Sequence, residues 1–232
     1  MTLIQVINPN TSRAMTALIG AAAREAAGPG VTVRAVQPDD GPEAIESHYD
    51  AALAVPGVLS LVSTGVADGH VIACFGDPGL DAARELSRGP VVGIAEAAMH
   101  VATFLGRSFS VVTTLPRTVG HTHDLVHRYG FERACRGVHA CGVPPLGLDS
   151  PESGKILAEE CARARDADDC DVIVLGCAGM SAMAGPLTSS LGLPVVDGVT
   201  AAARIVGSLV ELGLRTSTHG EYAPLRSGHD AG

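Results

Sequence analysis

Short apolar runs alternate with longer stretches whose apolar residues recur every three or four positions, and the alternation holds along almost the whole chain. Residues 3–7 form an apolar run that stops at Asn8-Pro9-Asn10, after which Thr11-Ser12 offer hydroxyls to cap an Ala-rich helix over 13–27. The same unit recurs. Strands are predicted at 31–36, 70–73, 90–94, 109–113, 134–139, 172–175 and 194–196. Helices are predicted at 47–66, 95–105, 116–128 and 152–165, in the stretch after Cys177, and at 198–212. Pro56-Gly57 is expected to interrupt the 47–66 helix, because proline has no N–H to give and its ring crowds the preceding turn. Strand–helix alternation with β-branched runs predicts an α/β chain of parallel sheets covered by helices on both faces. Such sheets bind ligands outside the carboxyl ends of their strands. Residues 215–232 carry no periodicity and are expected to form a mobile or loosely docked tail without a catalytic role.

Two segments echo one another. Val71-Ile72-Ala73-Cys74-Phe75-Gly76 and Val172-Ile173-Val174-Leu175-Gly176-Cys177-Ala178-Gly179 each run strand, cysteine, small residues, helix, 103 positions apart. That separation is close to half the ordered chain and implies two similar lobes. A thiol placed after a parallel strand and before a helix start lies near exposed backbone N–H groups and the positive end of a helix dipole. Both favour the thiolate, so the free value of about 8.5 is expected to fall toward neutrality. One such cysteine is more often a buried small hydrophobe, but two in matching contexts reverse that balance. Facing lobes put Cys74 and Cys177 on opposite sides of a cleft, the geometry that inversion at one carbon requires: one thiolate takes a proton and the opposite thiol delivers another. Backbone N–H groups beside the thiols, at Gly76, Ala178 and Gly179, and the hydroxyls of Thr113 and Thr114 are candidates to hold a developing enolate oxygen.

Composition narrows the partners. With 46% apolar and 18% charged residues over 232 positions, the chain can bury a substantial core. Trp is absent, aromatics are 3% and the net charge is −9, which disfavours nucleic acid because stacking faces and positive charge are both lacking. The start reads directly into a strand with no signal-peptide pattern, and no apolar run is long enough for a membrane span, so a cytoplasmic location with thiols kept reduced is expected. His121, His123 and His127 form the one metal-like cluster, but no Cys-x-x-Cys or His-Glu-x-x-His spacing accompanies them, and a solvated histidine face is the preferred reading; no metal is expected. Cys135, Cys141, Cys161 and Cys170 are assigned structural roles. Asp197 is read first as a helix cap and second as a cleft residue.

Ile7-Asn8-Pro9-Asn10-Thr11, Ala73-Cys74-Phe75-Gly76-Asp77-Pro78-Gly79-Leu80 and Leu175-Gly176-Cys177-Ala178-Gly179-Met180 resemble the fingerprints of hydantoin and allantoin racemases, within the aspartate/glutamate/hydantoin racemase superfamily. The resemblance runs to about Leu214. It implies two flavodoxin-like lobes with mainly parallel sheets, related by a pseudo-twofold axis, with the active site in the cleft between them. Lobe 1 is expected over 1–95 plus 198–214 and lobe 2 over 96–197. The resemblance also implies that Cys74 and Cys177 are the catalytic pair, that Asn10, Thr113 and Thr114 touch substrate, that no cofactor takes part, and that the chain forms a homo-oligomer. Gly41-Pro42-Glu43-Ala44-Ile45-Glu46 resembles a family loop, with Ala44 where a serine is expected, and suggests Ile45 as an apolar wall.

Aspartate and glutamate racemases follow the first cysteine with Asn-Thr, whereas Phe75-Gly76 stands here. Phe75 cannot hydrogen-bond a carboxylate or an ammonium, and an apolar wall with close backbone approach at Gly76 suits a small, flat, neutral cyclic ureide. The competing reading is that Phe75 faces the core. An amino-acid racemase, or a related cysteine isomerase or decarboxylase, remains the nearest alternative function. A cysteine hydrolase using His70 or His100 would leave the second cysteine unexplained, and a non-catalytic two-lobed binding protein would leave both unexplained.

Overall fold

The computed structural model describes residues 1–223. The first half runs β1 (Thr2–Ile7), α1 (Arg13–Ala26), β2 (Val31–Val36), α2 (His48–Thr64), β3 (Gly69–Ile72), α3 (Leu80–Leu86), β4 (Val91–Gly93) and α4 (Ile94–Leu105). The second runs β5 (Phe109–Thr113), α5 (Val119–Arg128), β6 (Cys135–Ala140), α6 (Pro151–Asp168), β7 (Val172–Leu175), α7 (Ala184–Leu191), β8 (Val195–Asp197) and α8 (Gly198–Glu211). Short 3₁₀ turns precede α5 (Pro116–Thr118) and α7 (Ala178–Met183).

The strands form two four-stranded sheets, ordered β2-β1-β3-β4 and β6-β5-β7-β8, and every pairing is parallel. The two orders are the same when the second half is laid on the first, which is the two-lobed α/β architecture expected. In each sheet the chain reverses direction of travel across the sheet at its two central strands, β1 beside β3 and β5 beside β7. Crevices form outside the carboxyl ends of such a pair.

Strand periodicity sorts the core. Val71 and Val174 face a shared core between the sheets with Ala97, Ala98 and Ala202, whereas Ile72 faces a cluster under α2 and α3, and Ile173 and Leu175 face one with Leu157 and Cys161 of α6. The small residues of α4 and α8 let these helices approach closely at the centre. A Cβ at Gly198 would lie 2.3 Å from the Ile94 carbonyl oxygen, so the starts of α8 and α4 meet backbone to backbone. The helix that leaves the first sheet, α4, packs on β7 and β8, and the helix that leaves the second, α8, packs on β1, β3 and β4.

Local signals account for the boundaries. Ser12 caps α1 by accepting from Met15 N, Ser150 caps α6 by accepting from Ser153 N, and Asp197 caps α8 by accepting from Val199 N and Thr200 N, each at 3.0 Å for the last pair. The cap role of Asp197 is therefore the one the fold uses. One expectation is corrected. Helix α2 runs unbroken through Pro56, because Ala54, Val58 and Val62 bury one face of it and hold the turn despite the missing N–H. The helix expected after Cys74 is α3, which is seven residues long and starts only after Gly79, whose φ of 74° is left-handed. The described part of the tail is docked, with Thr216 Oγ1 donating to the Gly89 carbonyl at 2.8 Å and the Tyr222 hydroxyl donating to Asp81 at 3.0 Å. Residues 224–232 lie outside the described residues. No helix of the described residues is long and apolar enough to cross a membrane.

Candidate active site

The crevices at the two sheets' carboxyl ends open into one cavity of about 210 Å³. Cys74 and Cys177 both line it, each two residues beyond the last residue of the third strand of its sheet. Asn10, Ile45, Phe75, Gly76, Thr113, Thr114 and Ala178 line it as well. Gly179 does not reach the wall; its backbone N–H instead faces the Cys177 sulfur, as the N–H of Gly76 faces that of Cys74. Phe75 serves both readings made for it: it is packed into the shared core at 6% exposure and also contributes to the cavity lining.

The polar side chains are held in defined rotamers. Asn10 Oδ1 accepts from Asn8 Nδ2 at 2.7 Å and from Ser12 N at 2.9 Å, which leaves its Nδ2 on the weak acceptor Met15 Sδ at 3.1 Å. Thr113 Oγ1 lies 3.0 Å from Thr118 Oγ1 and 3.4 Å from the Gly176 carbonyl oxygen. Thr114 is fixed through its carbonyl, which accepts from Gly142 N at 2.7 Å.

The acidity expected of the thiols is corrected. Burial pushes Cys74 up to about 12 and Cys177 up to about 11, against the pull of the Gly76 and Gly179 amides. The negative charges of Cys177 and Asp77 raise Cys74 further. Desolvation wins because α3 begins only at Leu80 and Cys177 is followed by a 3₁₀ turn, so neither sulfur sits on the positive end of a long helix.

Several wall residues escaped the sequence reading. His121, which lines the cavity beside Thr122 of α5, reaches the Gly76 carbonyl oxygen with Nε2 at 3.4 Å. His48, at the start of α2, meets it edge-to-face with ring centroids 5.3 Å apart. Glu46, Ser47, Arg117 and Thr118 complete that side. The three-histidine cluster does not exist as such: His121 faces the cavity, His123 is exposed and His127 pairs with Glu132. The signal for His121 was its i+3 spacing from Thr118, a closer match to one helix face than its spacing from His123. Neither histidine considered for a hydrolase is in the wall. His70 is buried within β3, and His100 packs against Phe131.

A family model described as Asp/Glu/Hydantoin racemase matches residues 4–206. The chain belongs to that family. It is an isomerase of the racemase type. A hydantoin racemase of Rhizobium meliloti is 45% identical over 225 residues, covering 95% of this chain and 93% of the relative. An allantoin racemase from Klebsiella pneumoniae superposes with a TM-score of 0.97 at 52% identity, covering 100% of this racemase and 97% of that chain. The allantoin racemase of Pseudomonas fluorescens superposes with a TM-score of 0.95 at 37% identity, covering 99% and 100%.

Proposed function

We propose that this racemase inverts the C5 stereocentre of a 5-substituted hydantoin or of allantoin, using Cys74 and Cys177 as its two acid/base groups and no cofactor. The observation that carries this reading is the equivalent placement of the two cysteines, one from each sheet, on the wall of a single cavity. The similarity to hydantoin and allantoin racemases supports the ring as substrate.

In this mechanism one cysteine acts as thiolate and the other as thiol; since burial holds both protonated near neutral pH, the base ionises only with substrate in place. The negative charge of Cys177 raises Cys74, so ionising both is disfavoured, which supports that division. The thiolate removes the C5 proton, and the electron pair delocalises into the neighbouring ring carbonyl. The opposite thiol then protonates the far face of the planar carbanion, leaving the charge states exchanged and the enzyme ready for the mirror-image substrate. The Asn10 amide, bonded only to a thioether through its Nδ2, is a donor able to turn toward a ring carbonyl. Phe75, Ile45 and the backbone at Gly76 provide the flat apolar walls that a neutral ring fits.

The test is incubation of one enantiomer of a 5-substituted hydantoin, and of allantoin, in deuterated water with and without chelator. Polarimetry and C5 deuteration are followed against an enzyme-free control, since the C5 proton also exchanges spontaneously. Loss of rotation with deuterium entering C5, unaffected by chelator, is expected. Activity that chelation removes, or rotation unchanged beyond the control, would reject the reading.

A further inference from the structure

The loops carrying the two cysteines share a turn but differ in what anchors them. Asp77 N donates to the Cys74 carbonyl at 3.0 Å, and Met180 N donates to the Cys177 carbonyl at 3.1 Å, so the third residue after each cysteine closes the same turn. On the Cys177 side that residue is an apolar side chain buried in the outer cluster. On the Cys74 side it is a carboxylate, 2% exposed, with φ of 43°.

That carboxylate is fully occupied. Asp77 Oδ1 accepts from Ala95 N at 3.1 Å, and Oδ2 accepts from Glu96 N at 3.0 Å and from the Tyr129 hydroxyl at 2.7 Å. It thus caps α4 from outside the helix. The N-cap position itself holds Gly93, and a Cβ there would lie 2.2 Å from Asp77 Cγ, so glycine makes the room the carboxylate fills. In the second half no such loan occurs: α8 is capped by its own Asp197. Tyr129 belongs to the end of α5, the helix that also carries His121 into the cavity. The carboxylate therefore joins the Cys74 loop to two elements that are not part of the first sheet.

We infer that Asp77 is a positioning residue for the reaction: through the α4 N-terminus and Tyr129 it sets the place of Cys74 relative to the opposite half of the cavity, and through its charge it sets how readily Cys74 ionises relative to Cys177. The inference rests on the two-thiol reading above. The groups that share this environment are Cys74 on the same loop, Glu96 on α4 with its Arg84 partner from α3, and the buried Tyr129 hydroxyl on α5. Burial pushes Asp77 up to about 6, so it carries its charge at neutral pH and above.

Two arms test it. In the first, Tyr129→Phe is introduced into Cys177→Ser and separately into Cys74→Ser, and deuterium exchange at C5 is measured for each enantiomer. Removing the hydroxyl takes away one of the three bonds that hold the Asp77 carboxylate and lets its carboxyl rise further, so exchange is measured at alkaline pH, where Asp77 stays charged. Exchange through Cys74 is expected to fall about tenfold, as small displacements of a reacting group do, while exchange through Cys177 changes less than about twofold. An equal fall in both backgrounds, or none in either, would overturn the positioning role. In the second arm, alkylation of Cys74 and Cys177 by iodoacetamide is followed against pH by peptide mass spectrometry. Asp77→Asn removes a negative charge near Cys74, so the Cys74 midpoint is expected to move down while that of Cys177 stays. A Cys74 midpoint that does not move, or two midpoints that move together, would overturn the electrostatic role. This arm needs no substrate, so it decides the Asp77 inference even where both single-cysteine variants exchange the same enantiomer, a result that overturns the two-thiol reading alone.

Discussion

His121 Nε2 lies 3.4 Å from the carbonyl oxygen of Gly76, so a side chain from α5 reaches across the cavity to the loop that carries Cys74. The position that a Cβ on Gly76 would take is 3.2 Å from the same nitrogen, so a larger residue there would push against the imidazole. His121→Ala removes the contact, frees His48 from its edge-to-face partner and widens the cavity beside the ring. His121 lines the cavity, and loss of one hydrogen bond from its ring to the bound hydantoin, about 1 kcal/mol, corresponds to a roughly fivefold rise in KM, with kcat little changed if that bond is made equally in the ground and transition states. Steady-state polarimetry measures both constants. A fall in kcat at unchanged KM would instead assign His121 to the proton transfers.

Cys74→Ser and Cys177→Ser are each expected to abolish racemisation, with losses of about a thousandfold or more, because a serine hydroxyl is a far weaker base than a thiolate and one face of the carbanion loses its acid. Exchange at C5 with retained configuration should persist for one enantiomer in one variant and for the other in its counterpart. The remaining cysteines separate by burial. Serine at Cys135 or Cys141, both partly accessible, should leave activity and stability nearly unchanged, whereas Cys161→Ser places a hydroxyl in the fully buried cluster under α6 and should cost about 1–3 kcal/mol of stability with the cavity chemistry intact. Racemisation at the wild-type rate by Cys74→Ser would remove the two-base assignment.

What the sequence disclosed and what it hid divide along physical lines. The repeat of strand, cysteine and small residues at Cys74 and Cys177 was legible because strand periodicity and turn residues are local. The cavity lining followed from it, since parallel sheets put their ligands at strand ends. A helix after Cys74 was expected but not its late start at Leu80, and the continuity of α2 through Pro56 was hidden because packing of Val58 and Val62, not propensity, holds it. The thiol acidity was misjudged because burial acts over the whole enclosure and no residue type announces it. Asp77 was invisible as an anchor because its partners stand 18, 19 and 52 positions away. His121 was grouped with its sequence neighbours His123 and His127, although it lines the cavity with Thr118, three residues earlier.

His70 predicts how the fold responds to acid. It occupies β3 between Gln5 of β1 and Val91 of β4, is 2% exposed, and its Nδ1 has no hydrogen-bond partner among the described residues. Burial, aided by the Arg34 guanidinium, lowers its pKa to about 4, so it stays neutral in the folded protein well below neutral pH. The unfolded chain takes up the proton through about 6.5. The native state therefore holds fewer protons between these values, and the stability that neutral His70 contributes is complete above about pH 6.5 and is lost as the pH falls toward 4. At pH 5 the loss from this one group is about 2 kcal/mol. Asp77 acts in the opposite sense, since its raised carboxyl contributes stability that is present at low pH and lost as the pH rises through about 6. Comparing wild type with His70→Gln cancels that second contribution, because both proteins carry Asp77 and only one carries the imidazole. Urea unfolding midpoints at pH 7.5 and pH 5 should therefore show a larger drop for wild type than for His70→Gln. Equal drops would mean that His70 is protonated within the folded sheet or is reached by water there.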